Sequence, residues 1–164
     1  MIDLEAFKQS SKDARSKHKK LFNTLKRKPQ KQLDQWFHTH HEEVFQETDC
    51  LQCANCCKTT SPIFYDIDIQ RLSKALKMKE KQFIDMYLHV DKEGDYVLNH
   101  APCPFLGHDN KCIVYEDRPR ACREYPHTNR KRMYQILKLT QKNMEVCPAV
   151  LQIVERINVQ IEKQ

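Results

Sequence analysis

The chain has 164 residues, enough for one domain with a working hydrophobic core and no need of covalent staples. A hydrophobic share of 40%, a charged share of 30% and only two glycines exclude a low-complexity or disordered chain and favour a compact, helix-rich one. The net charge of +6 is unevenly spread: from Lys8 to Lys31 ten Lys and Arg face a single acid, Asp13, and from Arg118 to Lys142 the only acid is Glu124. No run approaches the ~18 apolar residues of a membrane span. The start of the chain, Met1 to Lys8, has no apolar export-signal core, so a cytoplasmic protein is expected. In a reducing compartment, eight cysteines point to metal ligands or redox groups before disulfides.

In chain order, residues 3 to about 27 predict a first helix. Leu4, Phe7, Ala14, Leu21, Phe22 and Leu25 lie on one stripe, with Asp3 and Glu5 early and Lys26-Arg27-Lys28 late, as the helix dipole favours. Pro29 ends it. A second helix from Gln30 to about Gln46 presents Leu33, Trp36, Phe37, Val44 and Phe45 and delivers the chain to Cys50. These first 49 residues form a basic helical arm, part of the same domain or appended to it, ahead of a cysteine-rich domain spanning 50–164.

Beyond the first cysteines, Thr59 to Tyr65 has the β-branched and aromatic content of a short strand, confined to an edge by Pro62. Asp66 or Asp68 can cap a helix carrying Ile69, Leu72, Leu76 and Met78. A further helix runs from Glu80 to His89 with Phe83, Ile84, Tyr87 and Leu88. Lys92 to Asp95 is a turn signal around Gly94, followed by a strand at Tyr96-Val97-Leu98. Strands at Cys103–Leu106 and Cys112–Tyr115 should flank the turn Gly107–Lys111 and bring Cys103 near Cys112. Residues 116–127, with Pro119 and Pro126, are expected to be irregular. Helix returns at about Lys131 to Gln141 and from Pro148 to about Glu162, with Pro148 in a first-turn position and Cys147 just before it.

The chemistry concentrates in the cysteines. Cys50, Cys53, Cys56 and Cys57 put four thiols into eight residues, and Cys103, Cys112, Cys122 and Cys147 follow singly. Zinc and iron bind cysteine as the thiolate, and ligands two residues apart can share an ion across a tight turn. The C-x2-C-x2-C spacing of Cys50, Cys53 and Cys56 also opens a ferredoxin-type half-site, whose remote fourth ligand precedes proline, as Cys103 and Cys147 do here. Zinc competes on equal terms, since any four thiols can close a tetrahedral site. If Cys56 and Cys57 lie in extended backbone, their side chains point apart, which implies two centres or one thiol to spare. The alternatives, buried apolar cysteines or disulfides, fit poorly with four thiols in eight residues.

In order, Cys50-x2-Cys53-x2-Cys56-Cys57, Pro102-Cys103-Pro104-Phe105-Leu106, Cys112-Ile-Val-Tyr115, Arg118-Pro119-x2-Cys122-Arg123 with Tyr125-Pro126, and Cys147-Pro148 resemble the CxxCxxCC cysteine-cluster family of YkgJ-like proteins. The resemblance covers roughly residues 50 to 150. It implies a zinc- or iron-chelating domain in which all eight cysteines are ligands, and it defines no biochemical activity. Flagellin lysine-N-methylases carry a related cluster, but no S-adenosylmethionine-binding segment is recognisable here.

Arg118, Arg120, Arg123, Lys58 and Lys111 lie within four residues of a cysteine, where cations offset the charge of a thiolate centre; Arg118, Arg123 and Lys58 are the expected supporting residues. His38, His40 and His41, and also His100, His108 and His127, are secondary ligand candidates. Asp66 and Asp68 are better explained as helix caps than as an acid–base pair. The two glycines, Gly94 and Gly107, are too far apart for a phosphate loop, and no hydrolase or dinucleotide motif is present.

The expected fold is an α+β domain, mostly α, with a small irregular β portion holding the cysteine-rich site. Three functions fit. The first is a metal-binding protein with a zinc or iron centre, iron–sulfur included, whose activity comes through a protein partner. The second is a redox or catalytic iron–sulfur accessory to a modifying enzyme. The third is a zinc protein associated with nucleic acid through the basic arm.

Overall fold

Helices form wherever the apolar period of the sequence is near 3.6, and the computed structural model, which describes residues 4–163, is mostly α with one small sheet. In chain order the elements are α1 (Leu4–Asp13), α2 (Arg15–Leu25), α3 (Gln30–Glu47), α4 (Cys50–Cys53), α5 (Asn55–Thr59), α6 (Asp66–Ala75), α7 (Glu80–Tyr87), β1 (Leu88–Val90), β2 (Tyr96–Leu98), α8 (Arg120–Glu124), α9 (Leu137–Asn143) and α10 (Pro148–Glu162). Short 3-10 turns occupy Tyr115–Asp117 and Met133–Ile136. The chain forms two units: Leu51–Tyr125 is one, and the segments on either side, up to Cys50 and from Pro126, make the other.

The flanking unit is a helical assembly. The expected first helix is interrupted at Ala14, so its stripe is shared between α1 and α2; Asp3 lies outside the described residues. Pro29, extended at φ −56 and ψ 135, ends that pair and opens α3. The α3 residues Leu33, Trp36, Phe37 and Val44 pack against Val150, Ile153, Val154 and Ile157 of α10 in one core with Phe22, Leu25, Met133 and Leu137. Burying each such side chain stabilises by about 1.5–3 kcal/mol. Arg156 Nη1 donates to Glu43 at 3.1 Å, and His40 bridges Glu43 and Gln160, so the rim of the α3–α10 seam is polar. The helix expected from Lys131 is shorter. Arg132 takes a left-handed conformation, Asp34 accepts the N–H groups of Arg132 and Met133 at 2.8 Å each, and the 3-10 turn precedes α9.

In the 51–125 unit, α6 packs on α7, and β1 and β2 pair antiparallel with Leu88 opposite Leu98. The helix expected to reach His89 therefore stops at Tyr87. The turn at 91–95 explains why: the Asp91 carboxylate accepts N–H groups of Glu93 and Asp95, Gly94 takes φ +89, and the returning strand claims Leu88 to Val90. Thr59 to Tyr65 makes only a bridge, Phe64 with Tyr96, beside Pro62. Cys103–Leu106 and Cys112–Tyr115 likewise reverse direction through a single bridge, Leu106 with Cys112, and form no strands. At the reversal a Cβ on Gly107 would meet Asp109 Oδ1 at 2.8 Å and the Lys111 carbonyl at 3.2 Å, so a larger residue would require the Asp109 side chain to move. Residues 116–127, expected to be irregular, hold the 3-10 turn and α8, which starts after Pro119. The unit's core is Phe64, Ile69, Leu72, Phe83, Leu88, Leu98, Phe105 and Val114, with Phe83 stacked on Phe105 at 6.0 Å.

Asp68 is the polar hub of this unit. It sits at the third position of α6, where its Oδ2 accepts the Tyr65 N–H at 3.2 Å and so caps the helix. Its Oδ1 pairs with Arg71 Nη2 at 2.6 Å and accepts the Arg120 N–H, the first of α8, at 3.1 Å. Arg71 in turn donates to the carbonyls of Asp117 and Arg118. The carboxylate side chain is 1% exposed, so its charge depends entirely on these partners. Asp68→Ala should cost about 3–5 kcal/mol, read as faster hydrogen exchange of amides across residues 66–124. A loss under about 1 kcal/mol would show that the pair does not hold α6 to α8.

His18 (3% exposed) and His41 are held below the usual imidazole value of 6.5, chiefly because burial disfavours the charged ring. Lys17 adds to the effect on His18 while Glu155 opposes it; His38 adds to that on His41 while Glu42 opposes it. The unfolded chain therefore binds protons that the folded unit refuses. Stability falls as pH drops below about 6.5 and levels off beneath the folded values. The single tryptophan, Trp36, is buried in the flanking unit that also holds both histidines, so urea titrations followed by its emission should give a lower midpoint at about pH 5.5 than at about pH 7.5. His18→Gln should reduce that difference.

Candidate metal centre

The cysteines divide between the units. Cys53, Cys56, Cys57, Cys103, Cys112 and Cys122 belong to 51–125, while Cys50 closes the N-terminal segment of the flanking unit and Cys147 packs against that unit's core. All eight are free thiols; Cys50 is exposed and the other seven are half-buried.

Local structure sets the first group. The CxxCxxCC stretch is two short helices, α4 and α5, separated by Ala54 in the left-handed region at φ 47. Cys56 and Cys57 are therefore helical neighbours and not the extended pair considered from sequence, so their side chains do not point to opposite sides. The Cys56 thiol donates to the Cys57 sulfur, and this bond brings the Cys57 thiol down to about 7, with the Lys58 charge helping against burial. Lys58 Nζ also donates to the Cys53 carbonyl at 3.2 Å, bracing α4 against α5.

The other thiols of this unit are brought to the same place. The Cys103 N–H donates to the Cys57 carbonyl at 2.8 Å, fixing the Pro102–Pro104 segment on the end of α5. The Gly107 reversal then returns Cys112 beside Cys103, and both pack against the aromatic core. Cys122 comes in on α8, which Asp68 and Arg71 hold in place. Each of Cys57, Cys103 and Cys112 lies close enough to Cys122 to disfavour a negative charge there. Burial pushes Cys122 up to about 12 and Cys103 to about 11, and raises Cys112 as well. Arg118 opposes the rise at Cys112 and Cys122.

Such a group suits a cation. Several thiolates cannot sit together in a half-buried cluster without opposite charge, and zinc or iron supplies it while taking sulfur as ligand. The donor chemistry fits either metal. Among the described residues no three His, Cys, Asp or Glu side chains converge on one point at ligand distance, so the thiols are gathered rather than locked.

The three expected supporting cations are placed differently. Lys58 and Arg118 act electrostatically on the thiols as described, and the Arg118 guanidinium also lies 3.7 Å over the Tyr115 ring. Arg123 is engaged with backbone, donating to the carbonyls of Arg118 at 3.0 Å and Glu116 at 2.8 Å. Arg120 pairs with Glu124, and Lys111 with Asp109. The histidines preceding the cluster have other partners: His38 the Arg130 carbonyl, His40 Glu43 and Gln160, His41 the Thr128 hydroxyl. The residue that sequence reasoning overlooked is Arg71; its spacing of three from Asp68 was the available signal.

No helix among the described residues is long and apolar enough to cross a membrane. Comparison with curated proteins and with solved structures finds no match in either. The profile of the CxxCxxCC family, described as a putative zinc- or iron-chelating domain, matches residues 49–148, more than half of the chain and the segment that contains all eight cysteines. With that match laid over thiols that the fold collects from four separate segments, the chain belongs to the CxxCxxCC family.

Proposed function

We propose that this protein is a thiolate metal-binding protein that holds zinc or iron, with Cys57, Cys103, Cys112 and Cys122 of the 51–125 unit as the central ligands and Cys53 and Cys56 of the same unit completing the ligand set. The observation that carries the reading is that half-buried thiols from α5, the Gly107 reversal and α8 lie near enough for Cys57, Cys103 and Cys112 each to act on the charge of Cys122. Lys58 and Arg118 offset the excess negative charge of such a centre, and Arg123 acts by holding the backbone between Glu116 and Arg118. When bound, the metal cross-links segments that the small core holds only in part, so its role includes folding.

Two measurements test this. Full-length protein purified without oxygen should contain stoichiometric zinc or iron by elemental analysis, and acid-labile sulfide would identify the iron–sulfur form. Metal-free protein with all eight thiols titratable would overturn the reading. Cys112→Ser or Cys122→Ser should lower the metal content severalfold, because serine oxygen is a poor substitute for thiolate sulfur. Removing the metal with a chelator should destabilise the 51–125 unit by at least about 2 kcal/mol, seen as a fall in melting temperature of roughly 10 °C.

A further inference from the structure

The two basic stretches of the sequence are far apart along the chain, yet within the flanking unit α2 and α9, one helix from each, pack side by side. Residues 14–33 and 125–144 together contain thirteen Lys and Arg and no Asp or Glu. The whole chain carries only +6, so everything outside these two segments sums to −7. The charge is therefore partitioned, not merely high.

Lys17, Lys19, Lys20, Lys26, Arg27, Lys131, Lys138 and Lys142 are exposed. Among the described residues no ion pair engages Lys17, Lys20, Lys138 or Lys142. An exposed aromatic ring lies in the 3-10 turn that leads into α9. Met133 is fully buried, Asp34 fixes the backbone at Arg132 and Met133, and the next residue, Tyr134, is left 47% exposed between Arg132 and Lys138. Both Asp34 oxygens are engaged by backbone N–H groups. Arg132 holds a left-handed φ of 61, a conformation costing about 1–2 kcal/mol that the Asp34 contact offsets.

We infer that the α2–α9 face, with Tyr134 at its edge, is a binding surface for single-stranded nucleic acid. Lysine and arginine side chains meet successive phosphates, and a fixed exposed tyrosine offers a platform on which an unpaired base stacks. A lipid surface fits less well. The apolar stripe of α2, made by Leu21, Phe22 and Leu25, is buried in the core, and Trp36 is only 5% exposed, so neither is available to enter a bilayer.

The test is fluorescence anisotropy of the full-length, metal-replete protein with a labelled twenty-nucleotide oligo(U) or oligo(dT), a duplex of equal length, and phosphatidylserine vesicles as competitor. Single strands should bind, with log K falling by about 0.7 per phosphate contacted for each unit of log salt. Replacing Lys17, Lys20, Lys138 and Lys142 by Glu should weaken binding at least tenfold, and the milder Gln replacements should weaken it less. Tyr134→Ala should weaken it about fivefold or more. Reversal of Lys74, Lys77, Lys79 and Lys81, exposed on the other unit, should leave affinity unchanged. Unaltered Trp36 emission shows that the variants fold. Equal loss in both quadruple variants, no binding at low salt, duplex binding as tight as single-strand with Tyr134→Ala silent, or vesicle binding alone would each overturn the inference.

Discussion

The 51–125 unit depends on one buried carboxylate. Its apolar core has eight buried side chains, none of them from the polypeptide between Tyr115 and Glu124, where Pro119 alone is buried. What holds that segment to α6 is Asp68, with Arg71, paired to that carboxylate, donating to the carbonyls of Asp117 and Arg118. A buried ion pair gains little net stability over an apolar pair of the same size, but it is directional. Here the direction matters, because α8 carries Cys122 and the Asp68 contact is made at its first N–H.

The thiols impose the opposite tendency. Burial and mutual proximity raise Cys103, Cys112 and Cys122, so as bare groups they favour the neutral form, whereas Cys57 is lowered by its Cys56 partner. A scaffold that assembles sulfur at this density opposes its ionisation unless a cation is supplied. A metal taken up by these thiols would thereby be linked to the local fold through the same electrostatic balance. Lys58 and Arg118 reduce the imbalance without removing it, since each acts on part of the group.

The flanking unit obeys different physics. Its core is larger and mainly aliphatic and aromatic packing between α3, α10, α2 and the 3-10 turn, with His18 and a few other polar side chains buried and polar bridges along the rim. That leaves its outer helical faces free to carry charge without affecting packing, which is how α2 can be strongly basic outside and apolar inside.

The sequence by itself determined the helical class, the bounds of α3 and α10, strand β2 and the family, because each rests on local signals: a 3.6-residue apolar period, prolines at helix starts, and cysteines at fixed spacing. The end of α7 was not legible, since Leu88 and His89 fit a helix locally and become strand only when β2 returns alongside. The hairpin expected around Gly107 keeps its reversal but not its strands, because the bridge at Leu106 and Cys112 is not extended by further pairing. Tertiary structure alone decided that Cys57 and Cys103 share a backbone hydrogen bond, that Cys122 joins them through Asp68 and Arg71, and that two basic segments a hundred residues apart lie together. Those facts depend on contacts between residues distant in the chain, and spacing along a sequence does not encode which distant partner a side chain will meet.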